Sequence, residues 1–90
     1  MSWFVYMLRM ANGNYYTGCT NDIKKRIDQH NNGQGSKCVR ASLPAILIYL
    51  EVALDKSSAL KREHQIKKLS KEDKIGLIVE DFNIVRECIA

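Results

Sequence analysis

Polar side chains share the apolar face of the first predicted helix, about residues 21–32. A rotation of 100° per residue places Arg26 and His30 beside the apolar Ile23 and Ile27. An arginine on a face that packs against a sheet needs a partner or a function, because burying an unpaired charge is costly. The alternative is that both side chains lie at the rim of this face and extend to water.

A carboxylate takes the same kind of position in the second predicted helix, about residues 57–69. Glu63 shares a face with Ala59 and Ile66. A carboxylate there is costly unless it is paired or bound to a cation. Carboxylate, water and phosphate oxygens form the shell that Mg²⁺ prefers, so Glu63 is a candidate metal ligand. The alternative is a salt bridge between Glu63 and Arg26.

Two tyrosines form a third candidate group near the N-terminus. Tyr6 and Tyr16 are separated by an Asn12-Gly13 turn, which would place them on neighbouring strands of a hairpin. Either they are core residues with solvated hydroxyl groups, or they act on a proton during a reaction. The ordinary pKa of tyrosine is near 10, but a neighbouring arginine and a metal ion would favour the phenolate.

Other kinds of site have little support. The three cysteines, Cys19, Cys38 and Cys88, form no Cys-x-x-Cys pair. Their odd number and spacing argue against a disulfide scaffold and a zinc ribbon, and favour reduced thiols in a cytoplasmic protein. The glycine-rich segment 33–37 lacks the spacing of a phosphate-binding loop, so we interpret it as a basic loop.

Composition and charge limit the class of protein further. Ninety residues, of which 46% are hydrophobic and 27% charged, suit one small globular domain. The absence of a long apolar run and of a signal-peptide pattern argues against membrane and secreted proteins. Residues 1–79 hold 13 Lys and Arg side chains against 7 Asp and Glu. This excess indicates either an anionic partner such as nucleic acid or a basic surface without a partner.

The elements that position these side chains follow from turns, caps and apolar patterning. We expect the order β-β-α-β-α-α, with Thr20 or Asn21 capping the first helix and a loop over residues 33–43. The third strand is almost continuously apolar, which favours a central strand covered on both faces. The predicted elements cover, in chain order, residues 3–9, 15–20, 21–32, 45–52, 57–69 and 71–79.

This order predicts an α+β fold in which helices flank a small, mainly antiparallel sheet of three strands. We expect a single domain over residues 1–80. Residues 81–90 form a C-terminal extension of uncertain structure, which could add a strand or a helix or bind a partner.

The candidate residues together resemble the GIY-YIG nuclease domain, over about residues 3–80. The likeness is to the small stand-alone bacterial proteins of that family. Five elements carry it, in chain order: Val5-Tyr6, Tyr16-Thr17-Gly18, Arg26, His30 and Glu63.

The resemblance implies an endonuclease that hydrolyses DNA phosphodiester bonds with one Mg²⁺ or Mn²⁺ ion, in a process such as DNA repair or recombination. It implies that Glu63 holds the metal ion and that Arg26 neutralises charge on the phosphoryl oxygens. Tyr6 and Tyr16 would orient or deprotonate the attacking water. His30 would assist tyrosine orientation or proton transfer.

Two departures from the family pattern keep a second function open, namely a non-catalytic nucleic-acid-binding module on the same scaffold. Cys19 stands where some members have a lysine, and the last predicted helix lacks an asparagine that others carry. We expect DNA, or alternatively RNA, as the partner, with specificity supplied by selectivity for nucleic-acid structure, by a homodimer or by a separate DNA-targeting protein. The candidate phosphate contacts are Lys24, Lys25, Lys37, Arg40, Lys61, Lys67 and Lys68.

Overall fold

A three-stranded antiparallel sheet forms the centre of the computed structural model, which describes residues 2–79. The strands are β1 (Trp3–Arg9), β2 (Tyr15–Thr20) and β3 (Ile46–Ala53), arranged in the order β2-β1-β3. The predicted α+β class and element order are confirmed. The predicted boundary at residue 80 is not tested, and the predicted extension over residues 81–90 lies outside the described residues.

Within the described residues, four helices accompany the sheet, one more than the sequence predicts. The additional helix is a single turn inside the segment 33–43, which was predicted to be a loop, and Ser36 caps it by accepting a hydrogen bond from the Val39 backbone. The helices are α1 (Ile23–Asn31), α2 (Lys37–Arg40), α3 (Lys56–Lys67) and α4 (Lys71–Ile78). A membrane-spanning helix is absent from residues 2–79, where the longest helix, α3, has 12 residues.

The hairpin of β1 and β2 forms as its turn sequence predicts. Gly13 adopts a positive φ of 85°, and the Met10 backbone amide donates to the Asn14 carbonyl oxygen over 2.9 Å. The register that this turn sets places Tyr6 directly opposite Gly18. The turn sequence therefore determines that Gly18 lies opposite Tyr6.

The expectation that the third strand is central is wrong, because in the sheet formed by residues 2–79 β3 lies at the edge and β1 is in the middle. Its apolar run has a different origin. A register irregularity in the β1–β3 pairing places Leu47 and Leu50 in one core cluster, while Tyr49 joins the other. Ile46 and Val52 stay 51% and 54% exposed, respectively, so part of the run faces solvent.

The two faces of the sheet bury two separate apolar clusters. The first contains Tyr6 and Leu8 and packs against Ile23 and Ile27 of α1. The second consists of buried side chains from β1, β3 and α3, with parts of α4 packed against it: Val5, Met7, Tyr49, Ala59 and Ile66. Helix α1 and helix α3 therefore approach the sheet from opposite faces.

The start and end of α1 are fixed by side-chain hydrogen bonds. Asp22 caps the helix by accepting from the Lys25 amide over 3.2 Å, so the prediction of Thr20 or Asn21 as the cap is wrong. Thr20 remains in β2, and its hydroxyl accepts from the Asp22 amide. At the other end, the Asn31 side-chain amide exchanges two hydrogen bonds, of 3.0 and 3.2 Å, with the Ala45 backbone.

Candidate active site

Four predicted site residues meet between the hairpin and α1. Tyr6 and Tyr16 come from neighbouring strands, and their ring centroids are 6.4 Å apart. His30 packs edge-on against both rings, with centroid distances of 5.9 Å to Tyr6 and 5.4 Å to Tyr16. Arg26 lies one helical turn before His30 and donates from Nε to Tyr6 Oη over 3.3 Å. We call these four residues the tyrosine–histidine cluster.

The hydrogen bonds at Tyr6 connect the arginine to the histidine. Tyr6 Oη is 2.9 Å from His30 Nε2. The hydroxyl donates to Nε2 when the imidazole carries its proton on Nδ1, and it accepts from Nε2 in the other tautomer. His30 is completely buried, so the alternative of a rim position is wrong for His30. Arg26 is only partly buried and extends toward solvent.

Burial sets the protonation of the cluster. Burial, and secondarily the positive charge of Arg26, lower the pKa of His30, which keeps the imidazole neutral at pH 7. Burial raises the pKa of Tyr6 to about 12, although the hydrogen bond from Arg26 lowers it in part. The sequence led us to expect that Arg26 favours the Tyr6 phenolate. In the folded protein the loss of hydration on burial raises the pKa of Tyr6 by more than Arg26 lowers it.

Two glycines leave the space that Tyr6 and His30 occupy. A Cβ atom on Gly18 would lie 2.5 Å from Tyr6 Oη. A Cβ atom on Gly35 would overlap His30 Nδ1, a buried atom with no hydrogen-bond partner within residues 2–79. Gly18 belongs to the second family motif, whereas the sequence carried no signal for the role of Gly35. Both positions require the absence of a side chain because Tyr6 and His30 are packed against them.

Glu63 projects from α3, in the other helical layer, and lies beside Cys19 of β2. It does not form the predicted alternative salt bridge to Arg26. Its carboxylate instead pairs with Lys67 Nζ over 3.1 Å, while Arg26 donates to Tyr6 and to Gln29. Burial, with a hydrogen bond to Glu63 as the next cause, raises the pKa of the Cys19 thiol to about 11. Cys19 is therefore a neutral thiol at physiological pH.

An open cleft of about 280 Å³ lies at the C-terminal end of β2, beside α1. Arg26 lines this cleft from α1, and Cys19 lines it from β2. Glu63 is not among the residues that line this cleft, but it contacts Cys19, which is. Arg26 and Glu63 are thus connected through Cys19, which contacts Glu63 and lines the cleft together with Arg26.

A second carboxylate, for whose role the sequence carries no signal, is bonded to the residue next to Glu63 in the chain. Glu51 of β3 accepts two hydrogen bonds from Arg62 Nε, of 3.1 and 3.2 Å, and one from the Tyr49 hydroxyl. Arg62 and Glu63 are consecutive in α3, so this network attaches the helix to the sheet next to the candidate metal ligand. Only the three-dimensional contact between β3 and α3 identifies this role.

All seven predicted phosphate contacts are exposed, but they do not form one group. Lys25 lines the cleft, whereas Lys37 and Arg40 belong to α2. Sequence reasoning missed Lys56, whose Nζ lies 5.8 Å from the centre of the Trp3 ring. Since Trp3 lines the cleft, Lys56 lies against one of the cleft residues.

The donor set fits a metal ion held by a single carboxylate. Among residues 2–79, no group of three or more His, Cys, Asp and Glu side chains is placed to hold a metal ion. Mg²⁺ commonly takes one or two protein carboxylates and fills its remaining positions with water and phosphate oxygens. Glu63 meets that requirement, because the ion pair that it makes within residues 2–79 is with a half-exposed lysine, Lys67, which solvent can solvate in its place.

Comparisons with known proteins agree with the fold and the motifs. The sequence model of the GIY-YIG catalytic domain matches residues 2–75. A UPF0213 protein of Staphylococcus saprophyticus is 46% identical over 77 residues, which are 86% of this chain and 94% of the relative. A UPF0213 protein of Staphylococcus aureus is 42% identical over 79 residues, which are 88% of this chain and 96% of the relative.

A solved structure supports the same assignment. The solution NMR structure of a UPF0213 protein from Bacillus halodurans has a TM-score of 0.58 and 33% sequence identity. It covers 91% of this chain, which in turn covers 87% of that protein. The match to the catalytic-domain model extends over most of the ninety residues and includes both tyrosines, Arg26, His30 and Glu63. This chain therefore belongs to the GIY-YIG nuclease family.

Proposed function

We propose that this protein is an endonuclease that hydrolyses DNA phosphodiester bonds with one bound Mg²⁺ or Mn²⁺ ion. Family membership indicates a nuclease in general. The observation that carries the proposal is the hydrogen-bonded series of Arg26, Tyr6 and His30 beside a cleft whose lining residue Cys19 contacts Glu63. These residues offer a phosphate ligand, a group that moves a proton and a carboxylate.

Arg26 binds the scissile phosphate in this proposal. Its Nε is held by Tyr6 and its Nη1 by Gln29, each over 3.3 Å, so the planar group is fixed in direction. The guanidinium has five N–H donors in total, which leaves further donors for phosphate oxygens. A donor group that is already oriented stabilises developing charge without reorganising during the reaction.

In this proposal Tyr6 and His30 accept the proton that the attacking water loses, and Tyr16 beside them orients that water. Because the pKa of Tyr6 is about 12, the phenolate fraction at pH 7 is only on the order of 10⁻⁵. A neutral His30 offers a second route. Tyr6 Oη accepts the proton of the water while its own proton moves to His30 Nε2 over 2.9 Å.

Glu63 is the residue that would hold the metal ion, after release from its exposed ion pair with Lys67. A bound Mg²⁺ or Mn²⁺ ion supplies Lewis-acid polarisation of the phosphate and stabilises the leaving oxygen. The thiol of Cys19 stays protonated next to the carboxylate and adds no charge.

Nicking of supercoiled plasmid by purified protein tests the proposal. We expect nicks in Mg²⁺ or Mn²⁺, none in EDTA, and at least 100-fold slower nicking by Arg26→Ala or Glu63→Gln. Arg9→Ala removes the same charge from an exposed position at the end of β1 and serves as the matched control, with nicking within a factor of three. Normal nicking by both Arg26→Ala and Glu63→Gln would refute the proposal.

The pH profile of nicking tests the route of the proton. If neutral His30 accepts it, the rate rises up to a pH below 6.5 and then stays level, because the pKa of His30 is lowered. If Tyr6 had to ionise first, the rate would rise about tenfold per pH unit toward pH 9, since its pKa is about 12. That continued rise would contradict the role given to His30.

The second candidate function is a nucleic-acid-binding module without catalysis, which the excess of basic residues favours. Its signature would be salt-dependent retention of plasmid DNA or RNA with no nicking in either metal ion. We further propose that a catalytic form acts in DNA repair or recombination in the cytoplasm. Sensitivity of a deletion strain to DNA damage, rescued by the wild-type gene but not by Arg26→Ala, tests that role.

A further inference from the structure

An aromatic side chain that the proposed hydrolysis does not use lines the cleft. Trp3, the first residue of β1 and the only tryptophan in the chain, faces this opening together with Lys25 and Arg26. Part of its ring packs against the apolar cluster that contains Val5. One part of the indole is therefore packed against this cluster, and another part is accessible from the cleft.

A cation accompanies the ring. Lys56 Nζ lies 5.8 Å from the Trp3 ring centre, and Lys56 also acts electrostatically on Cys19, another cleft residue. An aromatic ring beside lysines is the combination by which proteins hold single-stranded nucleic acid, with bases stacked on the ring and phosphates on the cations. Nothing in the proposed hydrolysis requires a tryptophan at this position.

We propose that Trp3 stacks against an unpaired base of the nucleotide next to the scissile phosphate. The inference rests on the proposed function, because Arg26 marks where that phosphate lies. It specifies the substrate class as DNA with an unpaired nucleotide at the point of cleavage. Inside an intact duplex the neighbouring base pairs cover both faces of each base, so the indole reaches a base only where it is unstacked.

The size and charge of the cleft agree with this occupant. Its volume of about 280 Å³ lies at the small end of pockets that take small ligands, which suits one nucleotide. Lys25 on α1 and Lys56 on α3 flank it with positive charge. Asp22, which also lines the cleft, is occupied as the cap of α1.

Intrinsic fluorescence of Trp3 provides a direct test, because this residue is the only tryptophan. The protein is titrated in EDTA with an eight-nucleotide thymidine oligomer and with an abasic oligomer of the same length and charge. We expect the thymidine oligomer to quench the emission and to bind about 5- to 150-fold more tightly than the abasic one. A blunt duplex of eight base pairs should bind no better than the abasic oligomer at the same salt concentration.

Variants at Trp3 separate stacking from charge, with oligomer binding measured by anisotropy of an end label. Trp3→Leu keeps an apolar side chain for the cluster but removes the aromatic ring. We expect Trp3→Leu to bind the two oligomers with equal affinity, and to bind the abasic oligomer with a Kd within twofold of the wild-type value. Trp3→Tyr keeps an aromatic ring and should retain most of the preference for bases. Circular dichroism melting establishes that each variant is folded.

The outcomes also separate this inference from the proposed hydrolysis. Equal quenching by both oligomers, an unchanged base preference in folded Trp3→Leu, or equally tight duplex binding would each overturn the stacking role. Arg26-dependent nicking without base-dependent quenching would overturn the stacking role and leave the hydrolysis standing. Base-dependent quenching without nicking would support the stacking role and leave the binding-module alternative as the function.

Discussion

Substitution of Gly18 by alanine should disturb the site more than its small size suggests. Gly18 lies opposite Tyr6 in the hairpin, and an added Cβ atom would stand 2.5 Å from Tyr6 Oη and 2.7 Å from Cζ. Ordinary contacts begin at roughly 3.4 Å, so the ring must move by about 1 Å. Tyr6 is 1% exposed and bonded to His30 and Arg26, so this shift must disturb its partners.

The magnitude combines two costs. Overpacking of a core position destabilises a protein by about 1–3 kcal/mol. Stretching the hydrogen bonds of a buried hydroxyl adds about 1–3 kcal/mol if they are lost. We therefore expect Gly18→Ala to lower the free energy of unfolding by about 2–6 kcal/mol. A displacement of about 1 Å at a reacting group also slows catalysis by on the order of 10²-fold.

Urea unfolding followed by circular dichroism measures the stability change, and plasmid nicking measures the activity. The matched control is Gly76→Ala in α4, where an added Cβ atom meets nothing within 4 Å. A glycine inside a helix costs about 0.5–1 kcal/mol relative to alanine, so Gly76→Ala should stabilise the protein by that amount. A loss of less than about 0.5 kcal/mol for Gly18→Ala would refute the packing of Tyr6 against Gly18.

A double mutant tests whether the damage acts through Tyr6. Tyr6→Phe removes the hydroxyl at 2.5 Å but leaves the Cζ contact at 2.7 Å, so it relieves part of the clash. We expect a favourable coupling energy of about 0.5–3 kcal/mol between Gly18→Ala and Tyr6→Phe. Strictly additive losses would indicate that the alanine acts on the backbone of β2 instead of on the tyrosine.

The remaining predictions concern charge, pH and attachment of α1. Glu63→Gln should bind Mn²⁺ at least tenfold more weakly in calorimetry, whereas Lys67→Met should change the unfolding free energy by under about 0.5 kcal/mol. The pKa of His30 is lower in the folded protein than in the unfolded chain, so the unfolded chain binds the extra proton as the pH falls. The contribution of His30 to the free energy of unfolding is therefore complete above pH 6.5 and falls below it, by at most about 1.4 kcal/mol per pH unit. Urea titrations at several pH values measure this, and a steeper fall for His30→Gln than for wild type would contradict it. Asn31→Ala removes two hydrogen bonds to the start of β3 and should cost about 1–3 kcal/mol; an unchanged urea midpoint would refute that role.

The hairpin was predictable because its signals are local. Asn12-Gly13 dictates a tight turn, and the aromatic and β-branched residues on either side favour strands. The bounds of β1 and β2 agree with the prediction to the residue. The position of β3 was not predictable from its apolar run, because an edge strand with irregular register can also bury alternate parts of both faces.

The α2 turn and the cap of α1 depended on contacts that periodicity does not report. Four residues of helix, Lys37–Arg40, are too few for a 3.6-residue pattern to be visible. Three consecutive polar residues, 20 to 22, are all good capping types. The choice among them follows from the length of β2, which keeps Thr20 in the strand and leaves Asp22 at the helix start.

Arg26 and His30 could be found from the sequence, because polar residues on an apolar helical face conflict with packing unless they have partners. The identity of those partners was not available. The approach of Tyr6 to His30 and the open space at Gly35 depend on how α1 and its following loop lie across the hairpin. The protonation of Tyr6 was misjudged for the same reason, since burial depth is a property of the folded chain.

A carboxylate of β3, Glu51, and one of α3, Glu63, show why exposure alone does not identify a metal ligand. The side chains of Glu51 and Glu63 are both 19% exposed. Glu51 accepts from Arg62 with both oxygens and also from the Tyr49 hydroxyl, so a metal ion there would compete with a partly buried guanidinium and a buried hydroxyl for the same carboxylate oxygens. Within residues 2–79, Glu63 contacts the neutral Cys19 thiol and pairs with a half-exposed lysine four residues on, a pair that contributes about 0.3–0.5 kcal/mol.

The two carboxylates nevertheless act on the same helix. Arg62 directly precedes Glu63, so the bonds from Arg62 to Glu51 fix the rotation of α3 about its axis and with it the direction of the Glu63 side chain. Glu51→Gln should therefore weaken Mn²⁺ binding at Glu63 by about 10-fold or more, as outer partners of metal ligands commonly do. Calorimetric titration of folded Glu51→Gln measures this, and an affinity equal to wild type would show that α3 is held in place without the Glu51 network.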